Sequence, residues 1–151
     1  MGSLNEHVTG HSLPGMGPKI SQTSEIVLTD PLHQIRRGVI IAASTDDPRA
    51  AFTGKPKLGA GLVLVRVEAA GPLQGKYVEF GHASSPGVAT EKAVILTENV
   101  VMSSPADPSV KEDKGAAGLI HGFVDYTKIE WDGGEATVKP VLKLIEFEDL
   151  P

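Results

Sequence analysis

Cysteine is absent from the sequence, which excludes disulfides, thiol catalysis and thiolate zinc sites. Aromatic residues make up only 5% of the chain, too few and too poorly interleaved with Arg and Lys for a base-stacking platform. Fourteen basic residues face nineteen acidic ones, giving a net charge of −5 with no polybasic block. A nucleic-acid partner is therefore not expected. The scarcity of Asn and Gln, beside abundant Pro, favours a heat-resistant protein.

Long hydrophobic runs are also missing. No stretch approaches the roughly 18 apolar residues that a membrane span needs, so no membrane partner is expected. The N-terminus has no basic region followed by an apolar run, so a secretory signal is not expected either. The length of 151 residues suits one domain, or one domain with an appended arm.

Residues 1–24 are predicted to form an extended N-terminal arm. The segment is rich in Gly and Pro and follows neither a helical nor a strand period. Alone, it cannot bury enough apolar surface to offset the roughly 1–2 kcal/mol of backbone entropy lost per ordered residue. Two interpretations stay open, a floppy tail or an arm that orders on a partner. The second rests on apolar residues that recur every three to five positions, namely Leu4, Val8, Leu13, Met16 and Ile20.

Residues 25–151 are predicted to form one β-rich domain. Short apolar runs alternate with turns rich in Gly, Pro and Asp, which is typical of a compact β-barrel or β-tulip with at most one or two short helices. In the strongest strand, residues 62–68, the valines at 63, 65 and 67 should face one way, and the residues at even positions the other. Ala50 to Leu58 is expected to be a loop. The strands are expected at 26–28, 39–43, 62–68, 75–80, 93–96, 100–102 and 118–126.

The C-terminal segment is predicted to hold a short amphipathic helix followed by a strand. Apolar residues at Val138, Leu142 and Ile145 have helical spacing, with Thr137 as N-cap and Pro140 in the first turn. Residues 145–148 then alternate as a terminal strand. Within the preceding strand, Ile120, Val124 and Tyr126 are expected on one face.

No group of residues indicates catalysis, a cofactor or a metal. His7 and His11 are four apart, but the arm around them is an improbable helix. His82 lies in a turn without a nucleophile elbow. His121 and Asp125 share a strand face about 13 Å apart, too far for direct proton transfer. The acidic pairs, Asp46–Asp47 among them, are interpreted as solvated charges, and we therefore expect no enzyme.

The linear order of strands and glycines resembles that of the lambda-type head decoration proteins of tailed bacteriophages. The matching segments span residues 36 to 148, about three quarters of the chain. An insertion at residues 46–58 and an extended region before Arg36 depart from the family pattern. The resemblance rests on these segments: 37–40 (RGVI), 61–67 (GLVLVRV), 75–78 (GKYV), 93–100 (AVILTENV) and 118–124 (GLIHGFV).

This resemblance implies a homotrimer on the outer surface of an expanded icosahedral capsid, at threefold and quasi-threefold positions. Its partner there would be the major capsid protein, and its location the virion. An apolar arm fits such a role because it can add backbone hydrogen bonds at a sheet edge while its side chains fill pockets. The residues expected to make intersubunit or capsid contacts are Leu13, Ile20, Ile26, Val27 and Leu28.

Two further interpretations are kept open. Trp131, the only tryptophan, is either an aromatic at the edge of the core or, together with Tyr126, an anchor of the trimer interface. The chain could instead be a small-ligand or carbohydrate-binding β-domain of a larger complex, in which case the aromatic segments 77–80 and 123–126 and Trp131 should converge on a pocket. An enzyme would need two of the candidates His82, His121 and Asp125 in one cleft.

Overall fold

The computed structural model describes residues 28–30, 32–84, 92–131 and 135–148. Within them the chain is mainly β, as predicted, with one short α-helix. That helix, α1, spans Glu135–Val138, and 3₁₀ turns cover Tyr126–Lys128 and Lys139–Val141. The strands are β1 (Ile35–Ile41), β2 (Lys57–Leu58), β3 (Val63–Arg66), β4 (Tyr77–Glu79), β5 (Val94–Leu96), β6 (Val100–Val101), β7 (Lys114–Asp125) and β8 (Ile145–Glu148).

Five strands close into a small barrel in the order β1-β4-β3-β5-β7. Closure comes from β1, which pairs antiparallel with β7 along its whole length and also pairs with β4 through Ile41 and Tyr77. The far end of β7 continues beyond β5 and takes β8 as a parallel neighbour. Strands β2 and β6 form a separate two-stranded sheet.

Two apolar clusters occupy the two sides of the barrel wall. The inner cluster draws on all five barrel strands, through residues such as Ile41, Leu64 and Leu96. The outer cluster lies between the wall and the C-terminal segment, and it includes Trp131 and Val138. Because both faces are covered, residues 63–65 of β3 are buried on both sides: Val63 and Val65 enter the outer cluster and Leu64 enters the inner one, as does Leu62 just before the strand.

A β-bulge in β7 reverses its side-chain alternation. Arg36 pairs with Leu119 and Ile35 with His121, so Ile120 is the extra residue. Leu119 therefore shares the outer cluster with Val124, whereas Ile120 packs against the inner cluster. The prediction that Ile120, Val124 and Tyr126 share one face is wrong for this reason.

Glycines permit two close approaches in the wall. A Cβ on Gly118 would overlap Val94 Cγ2 and lie 2.6 Å from Val94 Cβ, so only glycine fits this position without movement. Gly61 has a φ of +90°, and a Cβ there would overlap the carbonyl oxygen of Lys128. Both sites hold neighbouring segments closer than a larger residue would allow.

Two local predictions need correction. The C-terminal helix begins at Glu135 rather than after Thr137, and Pro140 falls in the 3₁₀ turn that follows it. Lys57–Leu58 is a strand rather than loop, because it pairs with β6. The terminal strand at residues 145–148 is confirmed.

Candidate functional site

The three candidates for catalysis are engaged in separate local contacts. The Asp125 carboxylate caps the 3₁₀ turn by accepting from the Thr127 backbone N–H at 2.9 Å and from its hydroxyl at 2.7 Å. Nδ1 of His82 accepts the backbone N–H of Ser84 at 3.0 Å. His121 pairs with Ile35 in the β1–β7 ladder. No hydrogen bond or ion pair in the described residues joins any two of these three groups.

Asp47 is buried, which corrects its interpretation as a solvated charge. Its carboxylate accepts from Arg49 Nε at 2.9 Å and Nη2 at 2.6 Å, and from the backbone N–H of Gly59 at 2.8 Å. Arg49 in turn donates to the Ala60 carbonyl at 2.7 Å. This group of four residues, called here the Asp47 latch, holds the segment that follows β1 against residues 59–60, which lie between β2 and β3. Asp46, its neighbour, is exposed as predicted.

Burial and hydrogen bonding shift the pKa values of several described carboxylates in opposite directions. Burial raises the pKa of Glu79, although the Asp46 N–H that it accepts at 3.1 Å opposes the shift. The hydrogen bond from Lys76 lowers the pKa of Asp113, and that from Lys114 lowers the pKa of Glu112. The contacts of Glu79 and Asp113 join segments far apart in the sequence, whereas Glu112 and Lys114 are two residues apart.

The two residues predicted at a trimer interface are packed within their own chain. Trp131 is 8% exposed and contacts Phe147, with ring centroids 5.2 Å apart. The hydroxyl of Tyr126 donates to Glu135 at 2.9 Å, and Lys139 Nζ lies 4.8 Å from the Tyr126 ring centroid. Their role between subunits stays a prediction, with little surface of Trp131 left for a partner.

The described chain begins beside the far end of β7. Leu28 bridges Val124 in antiparallel fashion, and the Thr29 N–H donates to Phe123 at 3.1 Å. Leu28 is buried in the outer cluster, so its predicted contact with another subunit or the capsid also stays a prediction. Leu13, Ile20, Ile26 and Val27 lie outside the described residues.

Exposed aliphatic side chains surround the β7 bulge. Leu32 is 88% exposed, Ile35 55% and Leu144 62%. The Ile35 backbone pairs with His121, and the Leu144 carbonyl accepts the N–H of Gly122 at 3.1 Å. The carbonyl of His33, next to Leu32, would lie 3.1 Å from a Cβ on Gly122. Leu32, Ile35 and Leu144, called here the bulge surface, therefore come from backbone that borders residues 121–122 of β7.

A groove of about 350 Å³ opens next to this surface, over the bulged residue Ile120. Its lining includes two cations, Arg37 and Lys143, and no carboxylate. Neither of these two charged side chains makes a hydrogen bond or ion pair with any other described residue. The groove can therefore accept an anionic group next to an apolar one.

Sequence reasoning did not identify this groove. Arg37 lies in β1 and Lys143 follows the 3₁₀ turn Lys139–Val141, and they are 106 positions apart in the sequence. They meet only because β7 pairs with β1 on one edge and with β8 on the other. No local pattern signals such a long-range meeting.

Comparison with family models, with curated proteins and with solved structures found no match. In the part of the chain that is described, no three metal-binding side chains cluster, and no helix is long and apolar enough to cross a membrane.

Proposed function

We propose that this chain is a capsid decoration protein, which acts as a homotrimer on the outer surface of an expanded phage head. It would bind the major capsid protein at threefold and quasi-threefold sites and stabilise the shell against internal DNA pressure. The role is structural and requires no cofactor, nucleic acid or membrane. The order of strands and glycines that resembles the lambda-type family supports this proposal.

One observation carries the proposal: the bulge surface lies beside the point where the N-terminal segment joins the barrel. Leu32, Ile35 and Leu144 expose large aliphatic groups there, and Leu28 pairs with β7 a few residues away. Clustered apolar exposure of this kind is typical of surfaces that bind a partner. A cement protein needs such a surface next to an arm that can extend its reach.

Charge and multivalency favour the same role. A trimer of chains with a net charge of −5 carries about −15, which suits an outer surface away from packaged DNA. Three arms on one trimer act together, so that modest affinity per arm gives slow release.

The test is co-sedimentation with expanded heads of the cognate phage. Deleting residues 1–24 should leave a folded domain but weaken capsid binding, because the arm contacts are lost. Replacing Leu32 and Leu144 with serine should also lower occupancy. The matched control replaces Val101 and Val110, which are 57% and 50% exposed outside the bulge surface, and it should bind normally. Full occupancy by both the deletion and the L32S/L144S variant would contradict the proposal.

A second candidate function, binding of a small ligand or carbohydrate, is favoured by one pocket. An open surface depression of about 490 Å³ is lined by Glu135, Ala136, Lys139 and Pro140, and Lys139 lies over the ring of Tyr126. Titration of oligosaccharides followed by calorimetry tests this candidate. Saturable heat that the Lys139→Ala variant loses would favour it over capsid decoration.

A further inference from the structure

Two pairs of charged side chains, opposite in sign, have no hydrogen-bond or ion-pair partner in the described residues. Arg37 and Lys143 line the groove over the bulge. Glu146 and Glu148 lie two residues apart on β8, and alternation places them on the face opposite the buried Ile145. Every other described carboxylate takes part in a hydrogen bond or ion pair; Glu146 and Glu148 make none.

The two carboxylates do not serve the groove of their own chain. Strand β8 runs parallel to β7, from Ile145 beside Gly122 to Glu148 beside Asp125. Glu146, beside Phe123, is therefore three positions beyond Ile120 along β7, and Glu148 is five, about 10 Å and about 16 Å away at 3.3 Å per residue. Neither glutamate lines the groove. The direction of β8 leads its acidic face away from the groove.

We propose that the groove receives the acidic face of β8 from a second copy of this chain. Glu146 and Glu148 of one copy would pair with Arg37 and Lys143 of the next. Opposite charges on the two surfaces supply the complementarity that orients such a contact. This inference rests on the proposed function, since it names the surface through which the trimer forms.

The geometry of the contact has a consequence for assembly. The groove and the acidic face are different surfaces, so each copy offers one and receives the other. A head-to-tail contact of this kind closes into a ring when the rotation between copies permits. If the ring closes after three copies, each of the three equivalent interfaces holds one such contact. Every groove and every acidic face of β8 is then occupied.

The test is charge reversal measured by sedimentation velocity of the full chain. The wild type should sediment as a trimer of about 47 kDa, three chains of 15.8 kDa. For the R37E/K143E variant and for the E146K/E148K variant, the protein concentration below which the trimer dissociates should rise at least about tenfold over that of the wild type, because like charges then face each other. The variant with all four reversals should regain the trimer, because the attraction is restored with opposite signs.

A matched control separates this contact from a general effect of charge. Lys57 and Lys128 also lack partners in the described residues, and they do not line the groove. The K57E/K128E variant changes the net charge as much as R37E/K143E does, and it should remain trimeric. Far-ultraviolet circular dichroism of each variant checks that the barrel is folded.

Three results would overturn the inference: a monomeric wild type, a folded R37E/K143E variant with unchanged association, or a folded four-reversal variant that stays dissociated. If the wild type binds expanded heads as a trimer while charge reversal has no effect, the proposed function stands and only the assigned interface fails. If the trimer forms through the groove but does not bind heads, the assigned interface stands and the proposed function fails.

Discussion

Removing the Asp47 carboxylate should destabilise the fold far more than removing that of its neighbour Asp46. The side chain of Asp47 is fully enclosed and accepts hydrogen bonds from Arg49 and from the backbone N–H of Gly59. That of Asp46 is 73% exposed and pairs with Lys111. The two adjacent aspartates thus provide a matched pair of substitutions to alanine.

The expected magnitude follows from the groups left behind. In Asp47→Ala the enclosed N–H of Gly59 loses its acceptor, which costs about 1–3 kcal/mol. The guanidinium of Arg49 loses its counter-charge, but its side chain remains 25% exposed and regains water in part. We therefore expect Asp47→Ala to lower the free energy of unfolding by about 3 kcal/mol, which is near the lower end of the cost of breaking a buried ion pair. Asp46→Ala should cost about 0–1 kcal/mol, as exposed pairs do.

The assay is urea unfolding followed by Trp131 fluorescence, with all variants at one protein concentration so that assembly affects them equally. Arg49→Ala and the Asp47→Ala/Arg49→Ala double variant complete a thermodynamic cycle. Because the two residues share one interaction, the double variant should lose less than the sum of the single losses. The reasoning is refuted if Asp47→Ala costs no more than Asp46→Ala, or if the two single losses simply add.

Two further predictions concern the barrel wall and its edge. Gly118→Ala should lower the free energy of unfolding by about 1–3 kcal/mol, because the new methyl group overlaps Val94. Gly115→Ala on the same strand should be nearly neutral, because nothing lies within 4 Å of its Cβ. Equal unfolding midpoints for the two variants would contradict this prediction. Glu79, whose pKa is raised by burial, binds its proton more tightly in the folded state. Stability should therefore fall as pH rises from the ordinary glutamate value, about 4.3, through the higher folded pKa. Glu79→Gln should remove this fall, since its amide oxygen can still accept the Asp46 N–H; a Gln variant whose stability falls equally over that range would refute the assignment.

The parts of the fold that depend on local pattern could be predicted from the sequence. The β3 strand and its alternation, the terminal strand at residues 145–148 and the mainly β class follow from side-chain periodicity and turn residues. The burial of residues 63–65 of β3 on both faces could not be predicted, because it depends on the C-terminal segment packing outside the barrel.

The features that escaped prediction all depend on long-range pairing. The bulge at Ile120 inserts one residue without any distinctive sequence, and it changes which side chains reach each cluster. In the sequence Asp47 resembles an exposed turn residue, and its burial depends on the hydrogen bonds that Arg49 and the backbone N–H of Gly59 donate to it in the fold. For the same reason Arg37 and Lys143 are unremarkable in the sequence and form a candidate site only once β1 and β8 flank β7.

The most direct test of the structural role is a cryo-electron microscopy reconstruction of expanded phage heads incubated with the purified protein. The proposal predicts added density of three barrels around each threefold and quasi-threefold axis, on the outside of the shell. Heads that remain undecorated at saturating protein concentration, with the protein recovered unbound, would contradict it.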